Sequence, residues 1–263
     1  MASNGSLSQA GTYAEGRYRR GLRDWQSRTR LILVACFGPF IGAGLVGLMI
    51  VGHLFAWVAG AMFGLGIALV IAMRESPPWY IEKWQLGAEG ERKTEKALKK
   101  LDRSRWLVVH DVACARGNYD HIVVGPGGVF LLDTKNLQGI VHMRGEEPYL
   151  RRRLDPEANE WCGWIRSGAL GGAASLHDEL KRRAGYAPWV KAVVVLWSEF
   201  DEGEGLHEDE KTKCVFVHGS RLHEWITSRP DKLDKATTED LATEIQAMAA
   251  KVRSAGPSPP QQI

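Results

Sequence analysis

Hydrophobic and polar positions change rhythm several times along this chain. Met1 to Gly16 is rich in Ser, Gly and Ala without periodicity, which predicts disorder continuing into a basic stretch that ends at Arg30. From Leu31 to Met73 the polar positions vanish: 43 consecutive residues hold no Asp, Glu, Lys or Arg. That run has room for two apolar helices of about 20 residues each, predicted over 31–50 and 54–73 with Val51, Gly52 and His53 as the turn. Glu75-Ser76-Pro77-Pro78 ends the second helix, since neither proline continues one. A linker over 74–86 leads to a packed domain over 87–253, and 254–263 is a Pro/Gln tail.

Within the domain the periods alternate. Ala97, Leu98 and Leu101 share one helical face, which predicts a helix over 92–101 with Glu91 on its first or second turn. Trp106 to Val112 reads as a strand. Ile122 to Val124 and Val129 to Leu132 then flank Gly125-Pro126-Gly127-Gly128, the pattern of a β-hairpin. Gly139 to Met143 predicts a fourth short strand. Ser167 to Ala184 predicts a helix with Leu170, Ala174 and Leu180 inward. Val190 to Trp197 is a continuous apolar run, as in a strand buried on both faces. Glu199 to Glu210 carries seven acids among glycines and reads as a solvated loop. Cys214 to Val217 is the last predicted strand. Ser220 to Thr227 is a helix N-capped by Ser220, and Thr238 to Arg253 a final amphipathic helix. Trp161 to Ile165 yields no assignment. This order predicts an α/β domain with a mixed sheet.

Charge refines the picture. The formal net charge is +3, but residues 1–30 carry six Arg against Glu15 and Asp24, so the remainder is slightly negative. A nearly neutral domain argues against indiscriminate nucleic-acid binding through phosphate neutralisation. The arginines before the apolar run, with Arg74 and Lys83 after it, place both ends in the cytoplasm by the positive-inside rule. The expected location is therefore the cell membrane, with two crossings and the domain in the cytosol. Ala56, Gly60, Gly64 and Ala68 form a small-residue stripe for helix packing, matched by Gly38 and Gly42. Trp79, Tyr80 and Trp84 suit a membrane-interface belt. Cys36, Cys114, Cys162 and Cys214 are scattered without a Cys-x-x-Cys pair, so neither disulfides nor structural zinc are expected.

The hairpin carries the candidate chemistry. With Val124 opposite Val129 and Ile122 opposite Leu131, Asp120 falls opposite Asp133, and Lys135 shares the face of Asp133. Like charges opposite each other are destabilising, so a divalent cation or a shared proton would explain the pair better than a bare structural role. Acid-x-Lys recurs at Glu91-Arg92-Lys93, Glu179-Leu180-Lys181 and Asp209-Glu210-Lys211, yet only Asp133-Thr134-Lys135 lies in an apolar strand with a second carboxylate across the ladder. His121 points to the opposite face and reads as structural. His110-Asp111 reads as a polar pair at a strand end. Arg116, Arg144 and Arg151 to Arg153 are candidates for phosphate contact or for a solvated surface.

Gly87-x-x-Gly90-Glu91, Asp120-His121-Ile122-Val123-Val124-Gly125-Pro126-Gly127-Gly128-Val129-Phe130 and Asp133-Thr134-Lys135-Asn136 followed by Gly139 form a long ordered signature. It resembles the nuclease-related domain, NERD, a branch of the PD-(D/E)xK nuclease superfamily. The resemblance implies a restriction-endonuclease-like mixed β-sheet flanked by helices, with Glu91, Asp120, Asp133 and Lys135 as the catalytic set. It implies Mg²⁺, with Mn²⁺ as an alternative, on Asp120, Asp133 and Glu91, and a nucleic-acid substrate, DNA or RNA. Hard carboxylate oxygens suit such ions. The leading expectation is a membrane-anchored nuclease. A catalytically inactive nucleic-acid-binding or sensing module and a membrane scaffold for protein partners are the alternatives.

Overall fold

The computed structural model describes residues 11–51, 60, 64–66, 68, 78–114, 117–153, 155–208 and 213–255. The chain divides into two compact units, one of residues 14–85 and one combining the N-terminal residues through Tyr13 with 86–263.

Helix α1, Thr12–Val51, is 40 residues long. The disorder expected for residues 1–30 is therefore corrected from Thr12 onward, while 1–10 lies outside the described residues. Between Thr12 and Arg30 no proline interrupts the chain, and Arg19 pairs with Glu15 one turn away at 2.5 Å. The first predicted span lies in the backbone of α1, with nearly all its side chains outside the described set; the second span is largely outside it. Among the described residues no helix is long and apolar enough to cross a membrane. Inside this unit Gly21 packs near Ile81, and the Arg17 guanidinium lies 5.5 Å from the Trp84 ring centre. The side chains of Trp79 and Tyr80 are outside the described set.

Helix α2, Trp79–Leu98, starts well before the predicted helix and runs straight through Gly87 and Gly90. Glu91 is thus mid-helix, and the expected first- or second-turn position is corrected. Tertiary contact outweighs the poor helix propensity of glycine here. A Cβ at Gly90 would sit 2.9 Å from Asn136 Cβ and 3.2 Å from Thr134 Cγ2, so only glycine lets the helix lie this close to the hairpin.

The main sheet has six strands in the order β1-β2-β3-β7-β10-β9. These are β1 Leu107–Cys114, β2 Gly117–Gly125, β3 Gly128–Lys135, β7 Val190–Leu196, β9 Leu206–Glu208 and β10 Cys214–His218. The hairpin register is as expected, Val124 with Val129 and Ile122 with Leu131, and Gly125 also pairs with Gly128, leaving Pro126-Gly127 as the loop. Strands β3, β7 and β10 are parallel, and every residue of β7 except Lys191 is buried. One face of the sheet packs on α3, Gly163–Ala184, and α5, Lys235–Ala255. The other packs on α2 and α4, Leu222–Thr227.

A second sheet, ordered β6-β5-β4-β8, combines β4 Ile140–Arg144, β5 Glu147–Arg152, β6 Asp155–Trp161 and β8 Glu199–Phe200. It extends β3 and β7 beyond their C-terminal ends, where the Trp197 N–H donates to the Lys135 carbonyl at 2.9 Å. Strands β5 and β6 are not evident in the sequence, because β5 buries only Pro148 and Leu150 and the described side chains of β6 are exposed. The solvated loop expected over 199–210 contains β8, a 3₁₀ turn at Gly203–Gly205 and β9. The inward face of α3 is Ile165, Ala169, Ala173, Leu176 and Leu180, so only Leu180 of the predicted face is fully buried. Ser220 does not cap α4; the N-cap is Arg221, without a side-chain hydrogen bond. Among the described residues, Cys114, Cys162 and Cys214 are not joined in disulfides.

Gly90→Ala tests the close approach. Helix propensity alone would favour alanine by about 0.5 to 1 kcal/mol, whereas overpacking costs about 1 to 3 kcal/mol. The expected net result is a lower midpoint in urea denaturation; a higher midpoint would show that the helix does not press on Asn136 and Thr134.

Candidate active site

Local packing fixes the elements that carry the candidate residues. Asp133 and Lys135 occupy the C-terminal end of β3, which is paired to β7 along its length. The ε-ammonium of Lys135 donates to Asp133 Oδ1 at 2.5 Å, with both side chains 22% exposed. Helix α2 is fixed alongside: Thr94 Oγ1 lies 3.0 Å from Thr134 Oγ1 and accepts from the Trp197 indole at 2.8 Å. The Asn136 amide donates to the Leu86 carbonyl at 3.0 Å. These contacts lock the helix that carries Glu91 against the strand that carries Asp133.

Asp120 does not complete the simple ladder expected of it. Backbone pairing of β2 and β3 is recorded as far as His121 with Leu132. One step further, Asp120 Oδ2 accepts the Thr134 N–H at 2.9 Å, so the carboxylate takes a backbone donor of the adjoining strand. Strand alternation breaks here. Tyr119 and Ile122 are three apart yet lie in the same core cluster, as do Val109 and Val112 on the partner strand.

The residue opposite that break is Asp111. The β1–β2 register pairs His110 with His121 and Val112 with Tyr119, which sets Asp111 across from Asp120. Asp111 adopts φ +51°, a conformation costing a non-glycine residue about 1 to 3 kcal/mol and concentrated at functional sites. Its Oδ2 accepts the Thr12 N–H at 2.9 Å and the Thr12 hydroxyl at 2.6 Å, and its Oδ1 accepts from Asn118 at 2.9 Å. In the sequence alone, Asp111 reads as part of a polar pair at a strand end. Its place opposite Asp120 becomes visible only once the β1–β2 register is known.

Electrostatics mark the cluster. Glu91 is 8% exposed, and its Oε2 has no hydrogen-bond partner. Burial first, then the charges of Asp120 and Asp111, raise its pKa to about 8, against the Gly11 N–H and Lys135. Burial and then Asp133 raise Asp120 to about 7, against Lys135 and the Thr134 N–H. Burial alone would lower Lys135, but Asp133, Asp120 and Glu91 outweigh it and hold the ammonium above its usual value. Among the described residues, no group of three or more His, Cys, Asp or Glu side chains is close enough to hold a metal ion.

Other candidates separate from the cluster. His121 and His110 approach Nδ1 to Nδ1 at 2.7 Å in a buried pair, and burial lowers both pKa values. Arg151 pairs with Asp201, Arg152 with Glu160 and Arg153 with Glu199, while Arg116 lies outside the described residues. A cleft lined by Ile140, Arg151, Asp201, His218 and Arg221 includes none of the four expected catalytic residues.

Helix, hairpin and acid cluster together define a domain class: residues 86–197 match the family described as NERD, nuclease-related domain. The match reaches beyond the hairpin signature through α3 and β7. An uncharacterized protein of Bacillus anthracis is 32% identical over 81 residues, covering 29% of this chain and 38% of that protein. The chain thus spans well under half the length of this relative. No solved structure gives a significant match.

The raised carboxylate pKa values carry a sign. Carboxylates that hold protons more tightly when folded stabilise the fold at low pH, and that contribution is lost as pH rises from about 4 toward 8. Glu91→Gln, melted in chelator, is expected to lose less stability than the parent across that window and to melt higher at pH 8. A lower melting temperature at pH 8 would contradict the account of Glu91 as a buried, repelled carboxylate.

Proposed function

We propose that this chain is a membrane-anchored, metal-dependent nuclease whose domain has the restriction-endonuclease-like architecture and hydrolyses phosphodiester bonds of nucleic acid. The observation that carries the reading is Glu91: a buried carboxylate with an orphaned oxygen, repelled by Asp120 and Asp111, inside a nuclease-related domain. An unpaired buried acceptor costs about 1 to 3 kcal/mol, a cost that a bound cation removes. Donor chemistry fits the same conclusion, since the set is all hard carboxylate oxygen.

Asp120, Asp133 and Glu91 would hold Mg²⁺ or Mn²⁺. Such an ion polarises a phosphoryl oxygen and lowers the pKa of bound water. Lys135, kept cationic by Asp133, orients a water and stabilises charge developing on the phosphoryl oxygens. Asp133 aims that ammonium, and Asp120 is itself aimed by the Thr134 N–H. A second reading, a nucleic-acid-binding module without turnover, is favoured by one observation: no three of the described acids converge on a single point.

Anchoring rests on the 43 residues without Asp, Glu, Lys or Arg and on the arginines that precede them. The domain then faces the cytosol.

Two experiments test the reading. Purified full-length chain, incubated with single- and double-stranded DNA and RNA, is expected to cleave with Mg²⁺ or Mn²⁺ and not with chelator. Asp133→Ala and Lys135→Ala should each lower the rate by at least about a hundredfold; metal-independent cleavage, or unchanged rates in both variants, removes the proposed site. For the anchor, alkaline carbonate washing of membranes is expected to leave the full-length protein in the pellet, and its release into the supernatant would exclude spanning helices.

A further inference from the structure

The four-stranded sheet beside the site presents a row of rings that neither the core nor the acid cluster uses. Directly opposed residues of an antiparallel ladder share a face. His142 pairs with Tyr149, and Tyr149 pairs with Trp161. Their partners on the other face, Val141 and Leu150, are buried in the core. The row therefore lies on the side of the sheet away from that core. His142 and Tyr149 rings stack at 5.9 Å with a 29° interplanar angle, and the Arg144 guanidinium lies 4.8 Å from the Tyr149 ring centre.

Trp161 is 56% exposed. Its indole N–H donates to Glu147 at 3.0 Å, and its ring fills the space over Gly163, where a Cβ would fall 2.2 Å from it. The ring is thus held in one orientation while much of it stays open. Three residues on, Trp164 is 52% exposed in the first turn of α3, with the Lys135 ammonium 5.9 Å from its ring centre. Two large aromatic rings left in water, one of them beside Lys135, do not stabilise the fold by burial.

We infer that Trp164, Trp161, Tyr149 and His142 form a stacking track leading from Lys135 across the small sheet, and that its occupant is a single strand of nucleic acid with unstacked bases. This rests on the nuclease reading and names its substrate class. Bases inside a duplex already stack on each other and offer no free face to these rings, whereas every base of a single strand does. Charge favours the same occupant. Arg144 makes no ion pair among the described residues, so it meets the backbone without losing a carboxylate. Arg151 to Arg153 and Arg166 are already paired to acids. Binding then comes mainly from stacking, and its salt dependence is shallow because few phosphates are neutralised.

The test is fluorescence anisotropy of full-length chain in chelator with labelled oligothymidylate, oligouridylate and a blunt DNA hairpin. Trp164→Ala and Trp161→Ala are each expected to weaken single-strand binding by about tenfold, with hairpin binding altered less than about twofold. Trp164→Phe and Trp161→Phe retain most of the affinity. Photocrosslinking of iodouridine oligonucleotide to the unsubstituted protein should map to Trp161, Trp164 or Tyr149, a readout that needs no variant to fold. Parent-level single-strand binding by the double alanine variant, equal losses on the hairpin, or no single-strand binding by the parent overturns the track. Absence of cleavage with Mg²⁺ and Mn²⁺ would overturn the nuclease reading alone, since anisotropy in chelator is read without turnover.

Discussion

The placement of β3 is the constraint on which the rest depends. It pairs antiparallel with β2 on one edge and parallel with β7 on the other, and its apolar side chains are buried on both faces. A slip of one residue would turn Phe130 and Leu132 toward the wrong layer and carry Asp133 and Lys135 with them. Register enforced by the core is therefore also register enforced on the chemistry. The hydrogen bonds of Thr94, Trp197 and Asn136 pass that precision to α2 and so to Glu91.

Precision of placement meets repulsion at the end of the strand. Buried Glu91 and half-buried Asp120 hold their protons toward the neutral range, while Lys135 remains a cation beside them. Gathering these groups is costly to the fold. The strained backbone of Asp111 belongs to the same economy, because the turn out of strand alternation brings a further acid to the edge of the cluster.

Much of this was legible in the sequence. The Gly-Pro-Gly-Gly turn and its flanking apolar runs set the hairpin register, and the continuous run from Val190 identified the central strand. The hairpin register drew Asp120, Asp133 and Lys135 together, whereas Glu91 joined them only through the resemblance to the nuclease-related domain; in the structure Glu91 and Asp120 feel each other's charge, and Asp120 feels that of Asp133. What escaped was non-local. Asp111 needed a register between strands whose turn carries no clear signal. The small sheet escaped because β5 buries only Pro148 and Leu150 and the described side chains of β6 are exposed, and with it went the exposed ring of Trp161. The extent of α2 escaped because Gly87 and Gly90 lower helix propensity, and only packing against Asn136 and Thr134 explains them.

The contacts of Gly11 and Thr12 reach further than their size. The Gly11 N–H supports Glu91, and Thr12 gives two donors to Asp111. Thr12 also opens the helix that continues into the apolar stretch. The acid cluster and the apolar segment are thus joined through one continuous piece of backbone. A fragment beginning at Trp79 would keep all four expected catalytic residues and still lack three of the hydrogen-bond donors that share its negative charge. Truncation at that point would change the electrostatics of the acid cluster while leaving its sequence intact.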